Sequence, residues 1–267
     1  MEVPPQGELL VNATLSDEER RRYSRNLLLP EIGEAGQARL RSGRVVVVGA
    51  GGLGSAVLYY LAAAGVGHIG IVDSDAVELS NLQRQILHRV ADLGRPKVDS
   101  ARDAITSLNP HCRVETFAVR LAAADIGAIL KECHAVLDAS DNFQTRFLVA
   151  DYCWQAKIPL VSAAVAEFSG QLFVVDPAQG SPCYRCLLPE PPKERELGIL
   201  GAVAGVMGCL QAIETLKLLL GLASDLVHRL LTFDALACRF HKMARSRAAD
   251  CPLCGDNPII GRQAALT

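Results

Sequence analysis

Apolar residues run without alternation at 45–48 (VVVV) and 69–72 (IGIV). That pattern predicts strands covered on both faces, as in a parallel sheet. Between them the chain keeps small apolar residues after Gly54, which suits a helix packed close on those strands. The plan then repeats, with a helical pattern over 96–108, a strand over 114–119, a helix over 126–132, a strand over 135–137 ending at Asp138, and a helix over 143–157. Strand and helix in alternation predict an α/β fold, a Rossmann-like doubly wound sheet whose first half is parallel. From residue 159 the apolar runs crowd together, at 159–164 and 171–175 with Gly170 between them, which predicts a hairpin and a mixed, antiparallel second half. A charged, proline-rich loop, PEPPKERELG at 189–198, precedes an apolar helix over 203–220. Ahead of the sheet, Ser16-Asp17-Glu18-Glu19 spells a capping box, and residues 1–40 read as an N-terminal helical extension. The remainder, 41–267, is expected to form a single domain, with a nucleotide-binding half at 41–150 and a second half at 151–267.

Composition narrows the field. With 27 basic against 29 acidic residues, no net field draws the chain to nucleic acid or an anionic membrane. The apolar stretch 45–72 is broken by Gly65, Gly67, His68 and Gly70, and 197–210 runs on into Gln211, Glu214 and Lys217, so both predict core segments and not spans. The first nineteen residues are acidic and lack a basic region followed by an apolar core, so no secretory leader is expected and the location expected is cytoplasmic. Thiols stay reduced there, and nine cysteines then argue against a disulfide framework. Cys112, Cys133, Cys153, Cys209 and Cys238 stand alone, as small buried hydrophobes do.

Candidate chemistry begins at GAGGLG, which fits G-x-G-x-x-G from Gly49 to Gly54, with glycines where the backbone must turn tightly and approach a pyrophosphate. Asp73, at the end of the next strand, sits where an acidic residue binds ribose hydroxyls. Up to this point an NAD-dependent dehydrogenase fits. Downstream, however, come Asn81, Gln83, Arg84 and Lys97, and hydride transfer needs no cluster of cations near the phosphates. Displacement of pyrophosphate from ATP does, because negative charge develops on the leaving group. Asp141, after a strand's C-terminal edge, suits Mg²⁺, which takes one or two carboxylates plus phosphate oxygens. The four remaining cysteines form two Cys-x-x-Cys pairs, Cys183/Cys186 and Cys251/Cys254, able to build a tetrahedral, closed and therefore structural Zn²⁺ site that ties two remote stretches together. A redox dithiol is the other reading of such pairs.

In order, GAGGLG, LSNLQRQ, GRPKV, the SDN at Ser140, Asp141 and Asn142, CYRC and CPLC resemble the E1-like adenylyltransferases of the MoeB/ThiF/HesA family. The resemblance runs from about Leu15 to Gly255. It implies ATP-dependent adenylation of the C-terminal Gly-Gly carboxylate of a small ubiquitin-like sulfur-carrier protein, with release of pyrophosphate. A carboxylate is already a nucleophile at neutral pH, so the chain's lack of an evident Ser/His/Asp set agrees with that chemistry. Carried over by motif, the resemblance implies an ATP site of Gly49, Gly51, Gly52, Gly54, Asp73, Ser80, Asn81, Leu82, Gln83, Arg84, Lys97, Asp141 and Asn142. Within it Gly51 approaches the phosphates, Asp73 the ribose, Asn81 and Arg84 the triphosphate, Lys97 the phosphates and Asp141 the Mg²⁺. It also implies a homodimer in which Arg25 reaches the neighbouring subunit's site as an arginine finger supplied in trans, a carrier-binding role for 151–267, and a separate sulfur donor. One departure stands out. Many relatives carry a cysteine in the loop before the long helix, and this chain has none between Cys186 and Cys209. The expectation is an enzyme that stops at the acyl-adenylate, with no rhodanese-type domain after Asp256. A catalytically silent module binding a ubiquitin-like partner is the reading from another class.

Overall fold

The computed structural model describes residues 14–193 and 197–260. The ends of the two expected units, 1–13 and 261–267, and residues 194–196 of the charged loop lie outside the described residues. Among the described residues three short helices come first, α1 (Asp17–Arg22), α2 (Ser24–Leu27) and α3 (Gly33–Ser42). The Ser16 hydroxyl accepts from the Glu19 amide while the Glu19 carboxylate accepts from the Ser16 amide, so the capping box forms as spelled. The body follows as β1 (Arg44–Val48), α4 (Gly52–Ala64), β2 (His68–Val72), α5 (Lys97–Leu108), β3 (Arg113–Phe117), α6 (Ile126–Leu130), β4 (Ala135–Asp138) and α7 (Phe143–Gln155). Then come β5 (Leu160–Ala166), β6 (Ser169–Val175), α8 (Tyr184–Leu187), α9 (Gly201–Leu220), β7 (Arg229–Asp234) and β8 (Arg239–Ala244).

The eight strands among the described residues join one sheet in the order β3-β2-β1-β4-β5-β6-β7-β8. β1 to β5 pair parallel, and β5 through β8 pair antiparallel. The expected mixed α/β, Rossmann-like sheet is therefore present. Successive side chains of a strand point to opposite faces, and the unbroken valine run fills both. Val45 and Val47 enter a core with α4, α5 and α9. Val46 and Val48 enter a second core with α6 and α7. Each fully buried valine contributes on the order of 1.5–3 kcal/mol.

α9 is long and apolar enough to cross a membrane by length and composition, with a mean hydropathy of 1.5. Its lower face instead lies on α4 and the sheet, and Gln211 Nε2, wholly buried, donates to the carbonyls of Asp138 and Val161 at 2.8 Å each. Those bonds staple α9 to β4 and β5.

Two differences from the sequence pattern have physical causes. Gly170, expected in the hairpin turn, lies inside β6, and the turn falls earlier, where Glu167 adopts φ 53°. A Cβ on Gly170 would come within 2.4 Å of Met207 Cγ, so the glycine admits α9 against the sheet. The β7–β8 hairpin was not anticipated. All six residues of β8 are exposed, so the strand has no buried face to write an apolar period into the sequence.

Candidate active site

Strand order reverses direction between β1 and β4, and ligands of open α/β sheets bind beyond the strand C-termini at such a point. A cavity of about 920 Å³ opens there, bounded by the ends of β1, β2 and β4 and continuing over β5, β6 and β7. Gly49 has φ 101°, and a Cβ on it would approach the Ala139 carbonyl oxygen to 2.6 Å. A Cβ on Gly54 would overlap the Gly49 carbonyl. Both positions therefore require glycine, but for different reasons. Gly49 lines the cavity with Gly51 and Gly52; Gly54 is buried inside α4 and serves packing. The turn delivers the N-terminus of a thirteen-residue helix to the cavity, a natural seat for phosphate.

Asp73 grips this turn. Its Oδ2 accepts from the Ala50 amide at 2.8 Å and its Oδ1 from the Asp75 amide at 2.9 Å. Burial pushes its carboxyl above the usual aspartate range, although Lys97 and those two amides pull the other way. Lys97, the first residue of α5 and almost wholly buried, places Nζ 2.8 Å from Asp75 Oδ2. Arg84, half-buried, is braced by a bond from Nη1 to the Ser80 carbonyl at 3.2 Å. Asp141 stands exposed at the rim, and Asn142 caps α7 by accepting from the Thr145 amide at 2.9 Å.

Of the residues anticipated from sequence, Gly49, Gly51, Gly52, Asp73, Arg84, Lys97, Asp141 and Asn142 line one cavity. Gly54, Ser80, Asn81, Leu82 and Gln83 do not. Asn81 is buried, its Oδ1 accepting from the Glu78 amide at 3.3 Å, so its side chain closes the turn that carries Arg84. Arg25 is exposed on α2 and off this chain's cavity. Cys209 lies half-buried on α9, also off the cavity, its thiol pushed up by burial. Among the described lining residues there is no His, Tyr or Cys.

Two lining cations and their anchors escaped the sequence reading. Arg120 lines the wall and donates to Gln144 Oε1 at 3.3 Å. Arg146, buried, donates to the Ser140 carbonyl at 2.5 Å and holds Nε 3.8 Å from Asp138 Oδ2. Asp138 in turn accepts from the Ser140 and Ser162 hydroxyls. An arginine amid the apolar α7 sequence, FQTRFLVADYCWQ, was the available signal.

The four paired cysteines meet at the opposite end of β6. Their sulfurs all lie within 4.8 Å of one another, with Cys183–Cys251 at 3.4 Å, Cys186–Cys254 at 3.2 Å and Cys183–Cys186 at 3.8 Å. Tetrahedral thiolates at ~2.3 Å from a metal stand roughly 3.8 Å apart, so the donor set fits a closed metal centre. At Cys251 burial is outweighed by hydrogen bonds from the Cys254 and Leu253 amides, which lower it, whereas burial raises the Cys183 thiol and pushes Cys254 up to about 11. A bound cation reverses that preference, because it binds the thiolate form.

The chain matches the profile of the ThiF family over residues 23–253. It is 46% identical over 251 residues to a sulfur carrier protein adenylyltransferase of Thermus thermophilus, covering 90% of this chain and 93% of that one. It is 47% identical over 253 residues to the adenylyltransferase and sulfurtransferase MOCS3 of Culex quinquefasciatus, covering 92% of this chain but only 58% of the mosquito protein's length. Among solved structures, E. coli MccB with ATP superposes with a TM-score of 0.78 at 23% identity, over 88% of this chain and 75% of that one.

Proposed function

This chain belongs to the ThiF family, and we propose that it is a cytoplasmic adenylyltransferase that activates the C-terminal Gly-Gly carboxylate of a small ubiquitin-like sulfur-carrier protein with ATP, for later sulfur transfer. The observation that carries the reading is the convergence of Gly51, Gly52, Asp73, Arg84, Lys97 and Asp141 on one cavity that continues over the antiparallel strands. The Thermus relative's name supports the substrate class.

In the reaction a carboxylate oxygen of the carrier attacks the α-phosphorus, the bond from that phosphorus to the α–β bridging oxygen breaks, and pyrophosphate leaves with the electron pair. Asp73 orients the ribose through its remaining lone pairs, and the N-terminus of α4 faces the phosphates. Arg84 and Lys97 neutralise the charge that grows on the departing pyrophosphate, an effect worth most in a site closed to water. Asp141, with its exposed carboxylate, would hold Mg²⁺, which supplies further charge neutralisation. No general base is required, in keeping with a lining that has no His, Tyr or Cys among the described residues. The carrier tail would lie along 151–267, over β5, β6 and β7. Cys183, Cys186, Cys251 and Cys254 would hold a structural Zn²⁺. The chain works as a homodimer with Arg25 supplied across the interface, and it stops at the acyl-adenylate, leaving sulfur delivery to a separate donor.

Carrier-dependent exchange of labelled pyrophosphate into ATP tests this directly. The expected result is exchange that needs a Gly-Gly-ended carrier and Mg²⁺; tight NAD binding with no exchange for any such carrier would overturn it.

A further inference from the structure

His88 is buried beneath the phosphate cradle and lies outside the cavity lining. Its Nε2 stands 2.9 Å from the carbonyl oxygen of Ala50, the residue between Gly49 and Gly51. Its Nδ1 stands 2.9 Å from the Ser100 hydroxyl. A carbonyl only accepts, so Nε2 carries the proton and Nδ1 accepts from Ser100. Ala50 is thereby pinned from both sides, its amide held by Asp73 and its carbonyl by His88.

Each of the three elements that meet at this ring carries a group that lines the cavity. The first is the glycine turn. The second is α5, in which Ser100 lies one helical turn after Lys97. The third is the segment of His88 itself, whose amide bonds back to the Gln85 carbonyl at 3.1 Å, next to Arg84, and whose Leu87 amide donates to Ser55 Oγ in α4 at 3.3 Å. We propose that His88 is a positioning residue for the adenylation site, locking the glycine turn, Arg84 and Lys97 in one register for the triphosphate. Burial holds the imidazole below its usual range against the pull of the Ala50 carbonyl, Asp73 and Asp92, with the Lys97 charge acting in the same direction as burial. The ring is therefore neutral and single-tautomer, as a rigid two-ended spacer must be. A side chain here need not touch ATP to set its affinity, because misplacing a preorganised charge weakens every contact it makes.

The inference rests on the adenylation reading, and the test separates the two. Titration of Mg·ATP into the full-length protein is compared for wild type, His88→Ala, His88→Gln, Ser100→Ala, Lys97→Ala and the His88→Ala, Lys97→Ala double variant. His88→Ala is expected to weaken Mg·ATP about tenfold, Ser100→Ala about threefold, and His88→Gln, whose amide N–H can reach the Ala50 carbonyl, to recover most of the loss. Because His88 acts partly through Lys97, the fold-loss on His88→Ala is expected to shrink in a Lys97→Ala background. Wild type that binds no Mg·ATP overturns the adenylation reading itself. Wild type that binds, with Ser100→Ala and His88→Ala equal to it, with Gln no better than Ala, or with full additivity toward Lys97, overturns the role of His88. Should His88→Ala not fold, Ser100→Ala and His88→Gln carry the comparison.

Discussion

The phosphate cradle and the thiol corner each gather residues from distant parts of the chain, but by opposite means. The cradle is assembled by the sheet: β1, β2 and β4 end side by side, and backbone amides, Asp73 and buried side chains fix the turn from several directions. Among the described residues the thiol corner has a small core, Cys183, Cys251, Leu253 and Cys254 buried together with Trp154, Cys186, Ala248 and Ile260 packed half-buried against them. The proposed Zn²⁺ would add the bonds that this small cluster lacks. The sheet organises the first region without its ligand, whereas a metal held by the four sulfurs would be a main support of the second.

The largest effect follows from the second half of that contrast. Cys183→Ser is expected to abolish binding of one zinc equivalent per chain and to lower stability by about 4 kcal/mol or more, read by elemental analysis and urea denaturation. A variant that keeps full stability without metal would erase the distinction between the regions. Next, Arg84→Ala and Asp141→Ala should each reduce pyrophosphate exchange by about 10²-fold or more, roughly 3 kcal/mol, with zinc content and melting temperature unchanged. Loss of zinc in either variant would show that the two regions are not independent. Smaller again, Gly49→Ala forces a Cβ against the Ala139 carbonyl at a positive φ and should cost about 1–3 kcal/mol of stability, measured by denaturation with zinc retained.

Asp73 gives a prediction of sign. Its raised carboxyl means that the ionised form is disfavoured by the fold. Wild type should therefore lose stability relative to Asp73→Asn as pH rises through the range just above ordinary aspartate titration. Mg·ATP affinity should rise across the same range, because only the carboxylate accepts from both amides and the ribose. Parallel trends in the two measurements would contradict the assignment. The smallest effect is none: Cys209→Ala should leave exchange within about twofold of wild type, and a thioester trapped on Cys209 would refute the expectation of an enzyme that stops at the adenylate.

The sequence made the parallel half legible because buried strands and their glycine turn write themselves in unbroken runs: VVVV, then GAGGLG. It also marked Arg84, Lys97 and Asp141 as a set. What it hid is instructive. Asn81 reads as a ligand-facing amide within LSNLQRQ, yet its side chain closes the turn beneath Arg84. Gly170 reads as a turn residue, yet its reason is Met207, thirty-seven residues away. Asp75 carries no local motif, because its partner Lys97 lies far along the chain and becomes its neighbour only in the fold, whereas Arg146, bonded to the nearby Ser140 carbonyl, was marked only by its charge within an apolar helix. β8 is invisible because exposure on every residue leaves no period to detect.

The thiol corner also bears on how the chain meets a pull. Sulfurs at 183 and 186, which follow β6, face sulfurs at 251 and 254, which follow β8. With the four bridged by a metal, tension entering from the C-terminal end runs through Cys254 and Cys251 into Cys183 and the interior strand β6. It bypasses β8, the exposed edge that would otherwise peel away one ladder bond at a time. A pull applied beyond Cys254 would therefore have to break metal–thiolate bonds before β8 could unzip from β7.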